Sequence, residues 1–135
     1  MKKYIFLITC LIFSFSFSQK KELRNANKKF NTGDVDGAYE IINSNKELLE
    51  NSDSKVFNNY VLLLAKILRS KESFEESYQK LKLIQSVKNL AEEVSSELQL
   101  LSSDIVNSAI SDNQQESYTD ASKKLYLAYT IDKNA

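Results

Sequence analysis

The sequence predicts an all-α fold, a stack of about three helical hairpins following a signal peptide. Three observations lead to it. The 135 residues include no proline and only two glycines, so little interrupts a helix once it starts. Apolar residues recur three and four apart along most of the chain after residue 19, without the strict alternation of half-buried strands. Small side chains return at a fixed offset from the polar breaks between these segments, as expected where helices of successive hairpins cross.

The first 18 residues stand apart. Lys2 and Lys3 precede the apolar run Tyr4 to Phe17, and Ser16 and Ser18 occupy the small-residue positions of a signal-peptidase site, so cleavage is expected between Ser18 and Gln19. The run falls short of the roughly 20 residues needed to cross a bilayer, which disfavours a retained anchor. Thr9 before Cys10, and the apolar run continuing past it, disfavour lipidation of that cysteine. Cleavage would leave a domain, residues 19–135, without cysteine and therefore without disulfides or thiolate metal sites. Removing Lys2 and Lys3 from 18 basic residues leaves 16 against 18 acidic ones, interspersed along the chain. No basic stripe for nucleic acid results. The short Lys-initiated signal ending in Phe-Ser-Gln resembles those of exported proteins of Bacteroidetes-type bacteria, which implies the periplasm or cell envelope, or secretion.

Periodicity then divides the remainder into six helices. The first spans about Lys20 to Asn31, with Leu23, Ala26, Asn27 and Phe30 on one face, and Thr32-Gly33 ends it. The second spans Asp34 to Glu50 with Val35, Ala38, Ile41, Ile42 and one of Leu48 and Leu49 inward. The cap-forming residues Asn51 to Ser54 separate it from a third, Lys55 to Ser70, whose stripe is Phe57, Val61, Leu64, Ala65 and Leu68. Ser73 to Glu76 has the form of a capping box, predicting a fourth helix to about Ser86 that buries Phe74, Ser77, Tyr78, Leu81 and Ile84. From Val87 to Ser111 the pattern fits one long helix, or two joined near Asn89. After the polar break Ser111 to Ser117, a final helix to about Ile131 is expected to turn Tyr118, Ala121, Leu125 and Ala128 inward.

A repeat emerges from these segments: Ala26-Val35-Ala38, Ala65-Phe74-Ser77 and Ala109-Tyr118-Ala121 each set a small residue nine positions before an apolar turn residue and another three after it. Only a side chain as small as Ala or Ser lets two antiparallel backbones approach closely. This spacing, with "YTDASKKLYLAYTIDK" at Tyr118 to Lys133, resembles the tetratricopeptide repeat (TPR). The resemblance covers about Lys20 to Lys133 and implies a TPR-like α-solenoid. It departs from the family in its repeat intervals of 39 and 44 residues instead of 34, in Ser77 where Ala is usual, and in lacking a turn glycine in the second segment.

The stretch Asn31 to Ile42, "NTGDVDGAYEII", also invites a reading as a calcium loop. With Gly37 as the loop glycine, Thr32 and Asn43 would fall where an acidic first ligand and a bidentate final Glu belong, so two of four key ligands are missing. As a hinge it is coherent: Gly33 ends one helix, Asp34 caps the next and Ala38 packs at the crossing. No metal or cofactor is expected. Without His, or Cys after cleavage, the commonest bases, nucleophiles and zinc ligands are absent, and no glycine-rich phosphate loop exists. The neighbouring acids Glu75-Glu76 and Glu92-Glu93 diverge by about 100° on a helix and suit a solvated face. These features point away from an enzyme.

What remains is binding. In the TPR family the groove is lined by the first helix of each pair. Carried over by position, the resemblance implies Asn59, Leu62, Lys66 and Arg69 in the second segment, and Ser103, Val106, Ile110 and Asn113 in the third, as contacts for a protein or peptide. The last helix adds a second candidate. Tyr126, Leu127, Tyr129 and Ile131 make it apolar around much of its circumference, whereas a terminal helix facing water should be polar outside. A partner protein, a second copy or further repeats would cover it, with Tyr126 and Tyr129 at the contact. The expected role is a scaffold or interaction module without a membrane span after cleavage. The alternative is a structural subunit of an envelope complex docking through this helix.

Overall fold

The computed structural model describes residues 18–134; the signal-peptide expectation, with Cys10, falls on residues 1–17, outside that range. Among the described residues the chain is helical and contains no strand. Helix α1 occupies residues 18–31, α2 Val35–Ser44, α3 Lys46–Glu50, α4 Ser54–Ser70, α5 Phe74–Ile84, α6 Ala91–Gln114 and α7 Tyr118–Asn134, with a short 3-10 turn at Lys88–Leu90 before α6. None of these helices is long and apolar enough to cross a membrane. The residues form two compact units that divide within α4, between Leu63 and Leu64.

In the first unit, α1 ends in a left-handed turn at Gly33, whose φ is +84°. The Gly33 N–H donates to the Phe30 carbonyl at 3.0 Å and the Asp34 N–H to that of Lys29 at 3.0 Å, the paired bonds of a Schellman cap. Asp34 then starts α2 as anticipated, its Oδ1 accepting from the Gly37 N–H at 2.9 Å. Ala26 and Ala38, either side of the turn, are fully buried.

The expected second helix is broken in two. Asn45 turns its side-chain Nδ2 back onto the Ile41 carbonyl at 2.8 Å, and its own N–H donates to the same carbonyl. Such local competition by asparagine for backbone acceptors halts α2 and lets α3 begin afresh. Asn51 repeats the device against Glu47 at the end of α3, and Asp53 Oδ1 accepts from the Val56 N–H at 2.9 Å to start α4. Gln19 Nε2 donates to the Leu48 carbonyl, tying the beginning of α1 to α3. Every residue of α4 from Tyr60 to Ala65 is buried, so over this stretch the helix is apolar around its full circumference.

In the second unit the same turn recurs twice without glycine. Glu72 (φ 59°) and Glu116 (φ 61°) occupy the left-handed position. Ser73 donates to the Leu68 carbonyl and Ser117 to that of Asp112, at 2.9 and 2.8 Å. The sequence reading differs at Ser73, which begins α5 without a side-chain cap, and the Leu68 bond accounts for the Glu76 half of the expected box. A capping box needs a free N–H at the cap residue for the Glu at the third helical position. Here the Ser73 N–H is already committed to Leu68, leaving Glu76 nothing to reach back for. Ser77, fully buried, places its hydroxyl 2.8 Å from the Ala65 carbonyl, so the helices touch at the small residues the repeat picked out.

Helix α6 packs against α5 and, across the Glu116 turn, against α7. It extends through Gln114, past the polar break expected at Ser111, and α7 continues to Asn134. Leu81, Ile84, Leu101, Ile105, Ala128 and Ile131 lie in the interior of the unit. Tyr118 and Leu125, expected inward, are exposed: the buried line of α7 follows Ala121, Ala128 and Ile131, and these two fall on its outer side.

Candidate interaction surface

Salt links fix how the helices of the second unit run. Lys66 Nζ meets Glu93 at 2.6 Å, and four positions further along α6 Glu97 accepts from Arg69 Nε at 2.6 Å. The numbering rises together on both sides, so the end of α4 and the start of α6 lie side by side and parallel. Arg69 also donates through Nη1 to Asp104. Across the following turn, Lys124 Nζ reaches Asp112 at 2.7 Å and the Ser108 hydroxyl at 2.8 Å, holding α7 antiparallel to α6. Gln85, at the end of α5, donates to the Asn134 carbonyl at the end of α7.

Arg69 is the electrostatic centre of this arrangement. Burial works against its charge, but hydrogen bonds and the charges of Glu97 and Asp104 outweigh that cost and raise the guanidinium pKa. Glu97 is itself buried, on the apolar stripe of α6 between Val94 and Leu101. Next to this cluster an open polar cleft of about 660 Å³ is lined by Arg69, Asp104, Asn107, Ser108, Asp112 and Lys124, among others. Its cations and the aspartates already pair with one another, so it offers hydrogen-bonding edges and little free charge.

The residues carried over from the TPR groove divide into two sets. Leu62 is buried, while Lys66 and Arg69 spend their charges on α6. Asn59, Ser103 and Asn113 are exposed, Val106 is half-buried and Ile110 exposed. Tyr126 and Tyr129, the candidates on the last helix, are exposed. They belong to a stripe at positions 118, 122, 125, 126 and 129, which share one side of a helix of 3.6 residues per turn. In it Tyr118 is 62% exposed, Leu125 49%, Tyr126 72% and Tyr129 61%. Tyr118 and Leu125 did not figure among the expected contacts, being expected inward beside Ala121 and Ala128. Glu97 and Asp104 were missed as well. An acid interrupting the apolar run Val94, Leu98, Leu101 was the available sign of the first; nothing local marks the second.

At the hinge of the first unit, Lys29 Nζ pairs with Asp34 at 2.6 Å on the surface. Hydrogen bonding from Lys29, then from the Gly37 N–H, holds the Asp34 carboxyl below the usual carboxylate range, and the same contact raises Lys29. Among the described residues no group of three or more His, Cys, Asp or Glu side chains is placed to hold a metal ion. No protein-family model matches the chain, and no curated protein or solved structure matches it.

Proposed function

We propose that the chain is a non-catalytic protein-interaction module, a short TPR-like array exported to the bacterial cell envelope, that docks through the apolar outer face of its last helix. The carrying observation is the stripe Tyr118, Leu125, Tyr126 and Tyr129, four large side chains each about half or more exposed on one side of α7. Water-facing patches of this kind mark contact surfaces far more often than scattered single apolar residues do. The array reading draws support from the three left-handed hairpin turns at Gly33, Glu72 and Glu116, and from the parallel run of α4 and α6 within the second unit. Export rests on the sequence of residues 1–18 alone.

A groove along the first helices is the second reading, favoured by exposed Ser103, Ile110 and Asn113 on α6. Lys66 and Arg69 are poor probes of it, because reversing their charge breaks the pairs with Glu93 and Glu97. Photo-crosslinking side chains placed at Tyr126 and at Ser103, irradiated in cells and analysed by mass spectrometry, separate the two. Docking through α7 yields adducts from position 126 and few from 103; the groove gives the reverse. No protein adduct from either position would overturn the module reading itself.

A further inference from the structure

We infer that the partner on this face is a second copy of the same chain, paired about a two-fold axis with the two α7 helices antiparallel. The inference rests on the docking reading above and names its occupant. Its first ground is the repeat. Shifted by 44 residues, Phe74 and Leu81 of α5 correspond to Tyr118 and Leu125 of α7. In α5, against which α6 packs, the two are buried; in α7 they keep large apolar character yet stand 62% and 49% exposed. The surface that a hairpin of this chain helps to cover at one repeat is thus presented uncovered at the next, which suits it to an α-helix of like composition.

Size and shape carry the argument from a helix to a second copy. Three tyrosines of this exposure contribute roughly 100–150 Å² each, and with Leu125 the face approaches on the order of 500 Å². Two such faces together reach about 1,000 Å², the lower bound of a specific interface. Self-pairing also matches bulk to space. An antiparallel register centred near Lys124 brings Tyr126 opposite Ser122 of the second copy and Tyr118 opposite Tyr129, so the most exposed ring meets the one small residue in the stripe. The same register carries Lys133 to the neighbourhood of Glu116 of the second copy, both exposed, pairing opposite charges at each end.

Sedimentation equilibrium of the purified protein up to about 100 µM tests this, a range that detects micromolar association. The expected result is a reversible monomer–dimer equilibrium. Tyr126→Lys should weaken it at least ~10-fold with helical circular dichroism unchanged, and Leu83→Glu, on the exposed side of α5, should leave it intact. Ser122→Tyr discriminates further: it adds apolar area, which would strengthen unspecific adhesion, but fills the space required by Tyr126 and so weakens the pair. Lys133→Glu should also weaken it, and Glu116→Lys in the same chain should restore it. A protein monomeric at every concentration, or a dimer that Tyr126→Lys or Ser122→Tyr leaves unchanged, overturns the second copy. If that monomer still yields adducts to another envelope protein from position 126, the docking reading stands without it.

Discussion

Glu72 and Glu116 bear a backbone cost that Gly33 avoids. All three occupy the left-handed position of a Schellman turn, and a side chain there costs about 1–2 kcal/mol. Part of that returns because glycine makes the unfolded chain looser. Glu72→Gly and Glu116→Gly should therefore each stabilise by about 0.5–1 kcal/mol in urea unfolding, and Gly33→Ala should lose about 1 kcal/mol although the site has open space for a methyl. Tyr60 gives a test by pH. Burial, then the charge of Glu50, pushes its phenol up to about 12, and among the described residues its hydroxyl has no hydrogen-bond partner. The folded state then holds this proton more tightly than the unfolded chain, so stability is intact below pH 10 and falls as the pH rises from 10 through about 12. Tyr60→Phe should remove this alkaline loss, and at neutral pH be neutral or stabilising by up to ~1 kcal/mol.

Between helices, the two kinds of contact respond differently. Ser77 sits where α4 and α5 touch, so Ser77→Ala, which keeps the volume small, should cost about 1 kcal/mol or less, whereas Ser77→Leu should overpack the crossing and cost about 2–3 kcal/mol. Arg69→Met leaves Glu97 charged and buried, an expected loss of about 3 kcal/mol; adding Glu97→Leu should recover most of it, since an apolar pair of similar volume often replaces a buried ion pair without penalty. Urea titrations of the single and double variants measure both effects. These contacts also show how far sequence carries at this scale. Ala26, Ala38, Ala65, Ser77, Ala109 and Ala121 are all buried, because small size at a crossing is written in residue type. The break at Asn45 and the unused box at Ser73 were hidden, because each depends on which of several competing local hydrogen bonds the folded chain makes. Lys66 and Arg69 were legible as helix-surface cations but not as ion-pair donors, since Glu93 and Glu97 lie 27 and 28 residues away and only tertiary packing brings them near.

For the whole molecule, the helical class followed from composition and spacing, as did the outward placing of Tyr126 and Tyr129, while the inward side of α7 did not. Periodicity identifies a buried line only to within one side of a helix, and α7 has enough apolar residues for two lines; packing against α6 took Ala121, Ala128 and Ile131 and left the tyrosines. That outcome links stability to concentration. A dimer contributes by mass action, so the folded state gains free energy as the protein concentration rises above its dissociation constant, reaching about 2.7 kcal/mol at a hundredfold excess. For a chain of this size each kcal/mol moves the melting temperature by about 2–8 °C. Calorimetry at two concentrations a hundredfold apart should then show a higher transition in the more concentrated sample. In Leu125→Glu, whose side chain lies on the exposed stripe and outside the interior of the unit, the transition should be independent of concentration and coincide with the dilute wild type. A wild-type transition that does not move with concentration would mean that the tyrosine face is not stabilised by self-pairing.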